Sequence, residues 1–202
     1  MLTLYDMADS GNAYKVRLLL HQLGIPVRRI DHDIDKNETR TPAFLAKNPN
    51  GRVPLLELED GTFLAESNAI LCYLADGTPF LPAERLPRAQ VLQWLFFEQY
   101  SHEPYVATPR YILKHLGRQH ARAAELPGRI EKGHQALAVM ETHLAKRQFF
   151  VAERYTVADI ALYAYTHVAH EAEIDLKAYP AVRAWLARVA AQPRHIDINV
   201  AG

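Results

Sequence analysis

The feature that most constrains this chain is one change of character near residue 76. Before it, short extended and helical signals alternate; after it, no strand signal recurs. Leu2–Tyr5 is a short apolar run, and Val16, Leu19, Leu20 and Leu23 then recur at i, i+3, i+4, i+7, the period of an amphipathic helix. Gly24 supplies the stop and Pro26 forbids continuation. Val27–Ile34 reads as a second strand with weaker alternation. Thr41-Pro42 reads as an N-cap with proline at N1, opening a short helix through Lys47. Val53–Leu58 and Thr62–Ala65 flank Asp60-Gly61, the signal of a two-residue hairpin. A helix from Ser67 turns Ile70, Leu71 and Leu74 inward. The order β-α-β-α-β-β-α predicts a small α/β domain over residues 1–76.

Residues 77–86, opening with Gly77-Thr-Pro-Phe-Leu-Pro82, are rich in breakers and read as a linker. Residues 87–202 read as an all-helical domain. Pro87 is placed at a helix N1, with Val91, Leu92, Leu95 and Phe96 on the apolar side of a long helix. Leu126–Lys146 reads as another helix. Tyr155-Thr156-Val-Ala-Asp159-Ile160 predicts a capped start: Thr156 at N-cap, Asp159 at N3, and Tyr155 stapled onto Ile160. Pro180 opens a last helix carrying Val182, Trp185, Leu186 and Val189.

Composition removes several function classes. The 202 residues carry 23 basic and 23 acidic side chains, a formal net charge of zero, without a cationic cluster of the kind nucleic-acid binders use. A single cysteine, Cys72, excludes an internal disulfide framework, a Cys-rich zinc site and a CxxC redox motif; at mid-helix it is expected to be a small buried hydrophobe. The ten histidines are scattered and form no metal-ligand pattern, so no metal is expected. The opening MLTLYDMADS lacks the basic and apolar segments of a signal peptide, and no run approaches ~18 apolar residues. The expectation is a cytoplasmic protein with neither nucleic acid nor membrane as partner.

A β-α-β unit joined to a β-hairpin and a helix is a thioredoxin-like arrangement, whose chemistry sits where strand 1 turns into helix 1. Here that turn reads Ala8-Asp9-Ser10-Gly11-Asn12-Ala13. Helix-start N–H groups favour an anion there. Ser10 replaces the cysteine of thiol–disulfide enzymes, so its hydroxyl can only donate to a thiolate brought by another molecule; helix capping explains a serine here as well. Asn50-Gly-Arg52-Val53-Pro54 precedes the hairpin. A cis bond before Pro54 would turn the Val53 backbone outward for an extended peptide, whereas a plain turn into strand 3 needs no such bond. Glu66-Ser67 opens helix 3, where a hydroxyl and free N–H groups suit a carboxylate and Glu66 an ammonium; a cap is again the simpler use.

Taken together, Ser10, Val53-Pro54, Glu66-Ser67 and Tyr155-Thr-Val-Ala-Asp159-Ile160-Ala-Leu resemble the cytosolic glutathione transferase family across nearly the whole chain. Within it, the resemblance is to bacterial serine-type, theta-like members, Ser10 falling on their catalytic serine. The zeta-type Ser-Ser-Cys pattern is absent, which argues against a maleylacetoacetate isomerase. The resemblance implies glutathione as co-substrate. Ser10 would then meet the sulfur, with Asn12 as the rival amide donor that some bacterial relatives use. Glu66 and Ser67 would hold the γ-glutamyl end, and Val53, set by Pro54, would pair with the cysteinyl backbone. Arg40 and Arg52 are the nearby cations for the glycyl carboxylate.

A hydrophobic electrophile is expected against Tyr105, Thr108 and Tyr111 (with Tyr100 on the same helix) opposite Met7 and Ala8; an aromatic stripe is also ordinary core. His102 and Glu103 are candidates to reach the tripeptide across a dimer cleft, or form a solvated face. The resemblance implies a homodimeric detoxifying transferase that attacks a hydrophobic electrophile. Two other readings remain: a glutathione-dependent disulfide reductase or peroxidase, and a non-catalytic interaction module on the same fold.

Overall fold

The computed structural model describes residues 1–200. Strand β1 (Leu2–Asp6) is one of the two interior strands of a four-stranded mixed sheet. It pairs in parallel with β2 (Val27–Asp31) and antiparallel with β3 (Leu55–Glu57), which pairs antiparallel with β4 (Phe63–Ala65), giving the order β2-β1-β3-β4. The crossover from β1 to β2 is helix α1 (Gly11–Leu23). It ends as its sequence demands: Gly24 takes φ 70° and returns its N–H to the last carbonyls. Helix α2 (Pro42–Leu45) starts at Thr41, whose hydroxyl accepts the Phe44 N–H at 3.2 Å. Helix α3 (Ser67–Ala75) buries Ile70, Leu71 and Leu74. Tyr5, Phe44 and Leu55 form a buried cluster flanked by Ile30, Val53 and Phe63.

The hairpin differs from expectation. Glu57 pairs with Phe63 and the Leu58 N–H reaches Thr62 O at 2.8 Å, leaving three loop residues rather than two. Gly61, at φ 84°, is the left-handed residue that a three-residue hairpin requires. β2 also stops at Asp31, short of Ile34.

The described residues fall into two units, one of 1–76 together with the segment from Pro193 onward, the other of 77–192. The sequence reading assigned the C-terminal segment to the helical part; in the structure it belongs with the sheet, because its hydrogen bonds go to α1.

The second unit is helical. In α4 (Arg85–Phe97), Pro87 is the third helical residue rather than the first, still inside the turn whose N–H groups lack intrahelical acceptors. Val91, Trp94 and Leu95 are buried, but Leu92 and Phe96 are 37% and 69% exposed, so half of the expected apolar side faces outward. Wide π-type turns at Glu98–His102 and Ile112–Leu116 flank α5 (Glu103–Tyr111), and Pro104 has no N–H to continue the ladder through the first. Next come α6 (Leu126–Leu144), α7 (Val157–Thr166) and α8 (Pro180–Ala190).

The capping box at α7 is fully formed and buried. Asp159 Oδ2 accepts from Thr156 N at 2.9 Å, while Oδ1 accepts from Trp185 Nε1 at 2.9 Å and Phe150 N at 3.2 Å. One carboxylate thus ties the start of α7 to α8 and to the preceding loop. Burial pushes the Asp159 carboxyl up to about 6, against the pull of these donors. Tyr155 packs its ring against Phe80 and Phe149, both at 5.8 Å, which is where its apolar surface is used.

Candidate functional site

The β1–α1 turn is held from both ends. Asp6, wholly buried at the end of β1, accepts the Met7 N–H at 2.7 Å. The Ser10 N–H closes the turn onto Met7 O at 2.9 Å, and Ser10 O accepts the first helical bond from Tyr14 at 2.8 Å. Ser10 Oγ accepts the Ala13 N–H at 3.2 Å, the ordinary N-cap bond. Capping uses a lone pair and leaves the hydroxyl proton to donate. The cap therefore fixes Oγ at the positive end of α1 without consuming the function a thiolate needs.

Asn12 and Ser67, which the sequence placed in separate motifs, are joined. Ser67 Oγ donates to Asn12 Oδ1 at 3.3 Å, so the first turn of α1 and the first residue of α3 are one hydrogen bond apart. Lys15 Nζ approaches Ser67 Oγ at 3.4 Å from a side chain that is 0% exposed. Sequence reasoning missed Lys15; the available signal was a lysine beside the apolar stripe of Val16, Leu19 and Leu20. Glu66, exposed and at φ 70°, ψ 114°, holds a backbone conformation that only glycine adopts freely. Such outliers cluster where ligands are bound. Ser67 itself is buried to 5% exposure, its N–H groups opening α3.

The loop before β3 gathers the remaining candidates of this unit. The Val53-Pro54 bond is cis. β3 begins only at Leu55, so the Val53 amide and carbonyl lie outside the sheet ladder. Arg40, exposed at the end of a 3₁₀ turn, donates from Nη1 to Asn50 O at 3.0 Å. Its guanidinium lies against Gly51, where a φ of 61° and a Cβ position 2.9 Å from the Thr39 carbonyl oxygen favour glycine. Arg52 is exposed, with its carbonyl held by Asn48 Nδ2 at 2.8 Å. Arg40 thus lies against Asn50 and Gly51, and Arg52 precedes Val53 in the chain. Met7 is half-buried on the turn before Ser10, and Cys72 is half-buried rather than fully so.

In the helical unit, Tyr105, Thr108 and Tyr111 share one stripe of α5 and are all half-buried. Tyr111 stacks on His115 at 5.2 Å and Tyr105 carries Lys132 Nζ 5.1 Å above its ring. Gly133 allows α6 to approach the Tyr105 carbonyl, since a Cβ there would be 2.8 Å from it. Tyr100 is apart from this stripe, 84% exposed on the wide turn. His102 is a correction: it is wholly buried, with Nε2 2.9 Å from Thr166 Oγ1, and neither meets solvent nor reaches out to a ligand. Among the described residues no cluster of His, Cys, Asp and Glu could hold a metal ion.

Residues 1–76 match the N-terminal domain of glutathione S-transferases and residues 94–193 the C-terminal domain. The chain belongs to the glutathione S-transferase family. It is 52% identical to a glutathione S-transferase from Pseudomonas fluorescens Pf-5, whose crystal structure superposes with a TM-score of 0.95 over 98% of each chain. A second family member from the same organism, with two glutathione bound, is 28% identical, with a TM-score of 0.83 over 96% of this chain and 89% of the other. The disulfide-bond oxidoreductase YfcG of Escherichia coli is 31% identical over 96% of this chain and 92% of its own length. The thioredoxin-like sheet domain followed by helices is the architecture of this family.

Proposed function

We propose that the protein is a serine-type, theta-like glutathione transferase that ionises the thiol of bound glutathione and directs it at a hydrophobic electrophile. The observation that carries this reading is the Ser67–Asn12 hydrogen bond of 3.3 Å, which brings the candidate thiol turn and the candidate carboxylate turn into one site. Glutathione presents one ammonium, two carboxylates and a thiol. Glu66 takes the ammonium, Ser67 and the N–H groups of α3 take the γ-glutamyl carboxylate, and the Val53 backbone pairs with the cysteinyl residue. Arg40 and Arg52 meet the glycyl carboxylate. This leaves the sulfur for Ser10 at the start of α1, where the hydroxyl proton left over by the cap is available.

Magnitudes support the assignment. A thiol of pKa ~8.5 is a few per cent ionised at neutral pH. Lowering it by about two units requires ~2.7 kcal/mol in favour of the thiolate, at ~1.36 kcal/mol per unit. A hydrogen bond to a charged acceptor supplies ~1.5–3 kcal/mol and a helix N-terminus ~0.3–1 kcal/mol more. No general base is needed. Ser10 is preferred over Asn12 as the sulfur donor because its Oγ is held at the N-cap, at the positive end of α1. The bond from Ser67 engages only the Asn12 carbonyl oxygen and joins the two helix starts. Tyr105, Thr108 and Tyr111 of the helical unit are the proposed electrophile contacts, and the role is detoxification in the cytoplasm.

A homodimer is part of the proposal. Leu92, Phe96 and Tyr100 recur every fourth residue along α4 and the turn after it, 37%, 69% and 84% exposed. Such a stripe suits a partner better than water.

The likeness to YfcG favours one second reading, in which the same thiolate attacks a disulfide. Glutathione-dependent turnover of an aryl halide and of hydroxyethyl disulfide separates the two: conjugation predicts the first substrate, disulfide reduction the second. Absence of both activities together with no retention on immobilised glutathione would leave an interaction module.

A further inference from the structure

The segment from Pro193 to Ile198, far from the candidate site in sequence, is fastened along α1 of the same unit. His21 Nδ1 lies 2.7 Å from Arg194 O, and the Arg194 guanidinium fills the space beside Gly24, where any Cβ would collide with it. The wholly buried Tyr14 donates its hydroxyl to Ile196 O at 2.7 Å and meets His195 Nε2 at 3.3 Å. Ile198 is 5% exposed, and its carbonyl accepts from Arg17 Nη2 at 2.8 Å.

Arg17 carries the tail's position to the turn. Its side chain is buried, with Nη1 paired to Asp6 Oδ1 at 2.5 Å and reaching Met7 O at 3.3 Å, while Nη2 also donates to Ala8 O at 2.8 Å. Met7 O is the same carbonyl that receives the Ser10 N–H at 2.9 Å. Ile198, Arg17, Met7 and Ser10 are therefore links of one hydrogen-bonded chain. A guanidinium offers several donors in a rigid planar fork, and this fork is shared among a carboxylate, two turn carbonyls and the tail.

We propose that the C-terminal segment is a strap that positions Ser10, and that Arg17 is the positioning residue through which it acts. The proposal rests on the reading of Ser10 as the donor to the glutathione thiolate. Hydrogen bonds to a reacting atom need their supporting groups fixed within a fraction of an ångström, and a displacement of ~1 Å can cost ~100-fold in rate. With the tail unseated, Nη2 keeps Ala8 O but loses its second acceptor, Ile198 O, and the guanidinium that holds the Met7 and Ala8 carbonyls is less firmly fixed.

Two full-length variants test this. Tyr14→Phe keeps the buried ring and removes the hydroxyl holding Ile196; Ile198→Asp places a carboxylate in the apolar seat of the tail. Each is read by the pH titration of thiolate absorbance in the glutathione complex and by KM for glutathione, with Ser10→Ala measured alongside. The strap predicts that the bound thiol titrates about half a unit or more higher in both variants. It also predicts kcat/KM near neutrality lowered ~3–10-fold, with KM for glutathione within about twofold. Should Ile198→Asp fail to fold, Tyr14→Phe decides alone. A thiol shift in Ser10→Ala with none in the tail variants overturns the strap and leaves the serine reading standing. No shift in Ser10→Ala overturns the serine reading itself.

Discussion

At Ser10 one oxygen serves two purposes: it accepts the Ala13 N–H to cap α1, and its proton remains to meet a ligand. Ser10→Ala should leave glutathione bound while raising its thiol pKa by ~1–2 units, if the lost bond is worth ~1.5–3 kcal/mol. Asn12→Ala should move that pKa less, because the sulfur is assigned to the Ser10 hydroxyl at the N-cap of α1. The absorbance titration compares the two, and a larger shift in Asn12→Ala would transfer the role to the amide. Ser67→Ala should act differently, raising KM for glutathione with kcat nearly intact, since Ser67 is the proposed contact of the end remote from sulfur. A lowered kcat at constant KM would remove that assignment. Ser10 was legible in the sequence because capping is local: a serine before an apolar-periodic run declares itself within four residues. Ser67 was legible as the opening residue of α3, although its Oγ bonds Asn12 and does not cap that helix. Lys15 and Arg17 were not. Their burial follows from what lies across from α1, namely Ser67 and the Ile198 carbonyl, and no window of sequence contains those partners.

Helix starts were the most legible elements and connections the least. The capping box of α7 stands as its sequence proposed, with Asp159 also bound to Trp185 of α8. Thr156→Ala should cost ~0.5–2 kcal/mol, since it removes a buried cap. At about 2–4 °C per kcal/mol for a chain of this size, thermal melting should detect the loss. Glutathione affinity of the folded fraction should be unchanged, and equal melting temperatures would contradict a stabilising role for the cap. The hairpin loop was misjudged because Asp-Gly suits both two-residue and three-residue turns, and the register of β3 on β4 decides. The outward half of α4 was misjudged because periodicity finds an apolar stripe without saying what covers it.

His143, near the end of α6, supplies an element-scale pH test. It lies against Trp94 at 4.7 Å and Phe150 at 5.5 Å, and burial lowers its pKa while its bond to Phe150 O opposes this. A base whose folded pKa is depressed contributes full stability above its unfolded value of ~6.5 and loses it as pH falls below. Denaturation midpoints measured from pH 7 to 5 should therefore fall less steeply in His143→Gln than in the parent protein. Parallel slopes would place the acid sensitivity elsewhere.

Across the whole molecule, the division into a sheet unit and a helical unit was readable from the loss of strand signals after residue 76, while the return of the C-terminus to the sheet unit was not. That return depends on side chains of α1 meeting carbonyls some 180 residues later, such as Tyr14 on Ile196 (|i−j| = 182). Light scattering should give twice the 22.9 kDa of one chain, and Phe96→Asp should reduce it to a single chain. A monomeric parent protein would contradict the dimer. The most direct measurement is the ultraviolet titration of glutathione bound to the unmodified protein. A thiol that ionises about one to two units below its free value is the predicted result, matching the stabilisation that one charged hydrogen bond and a helix start supply. Glutathione that binds yet titrates at its free value would contradict thiol activation at this site.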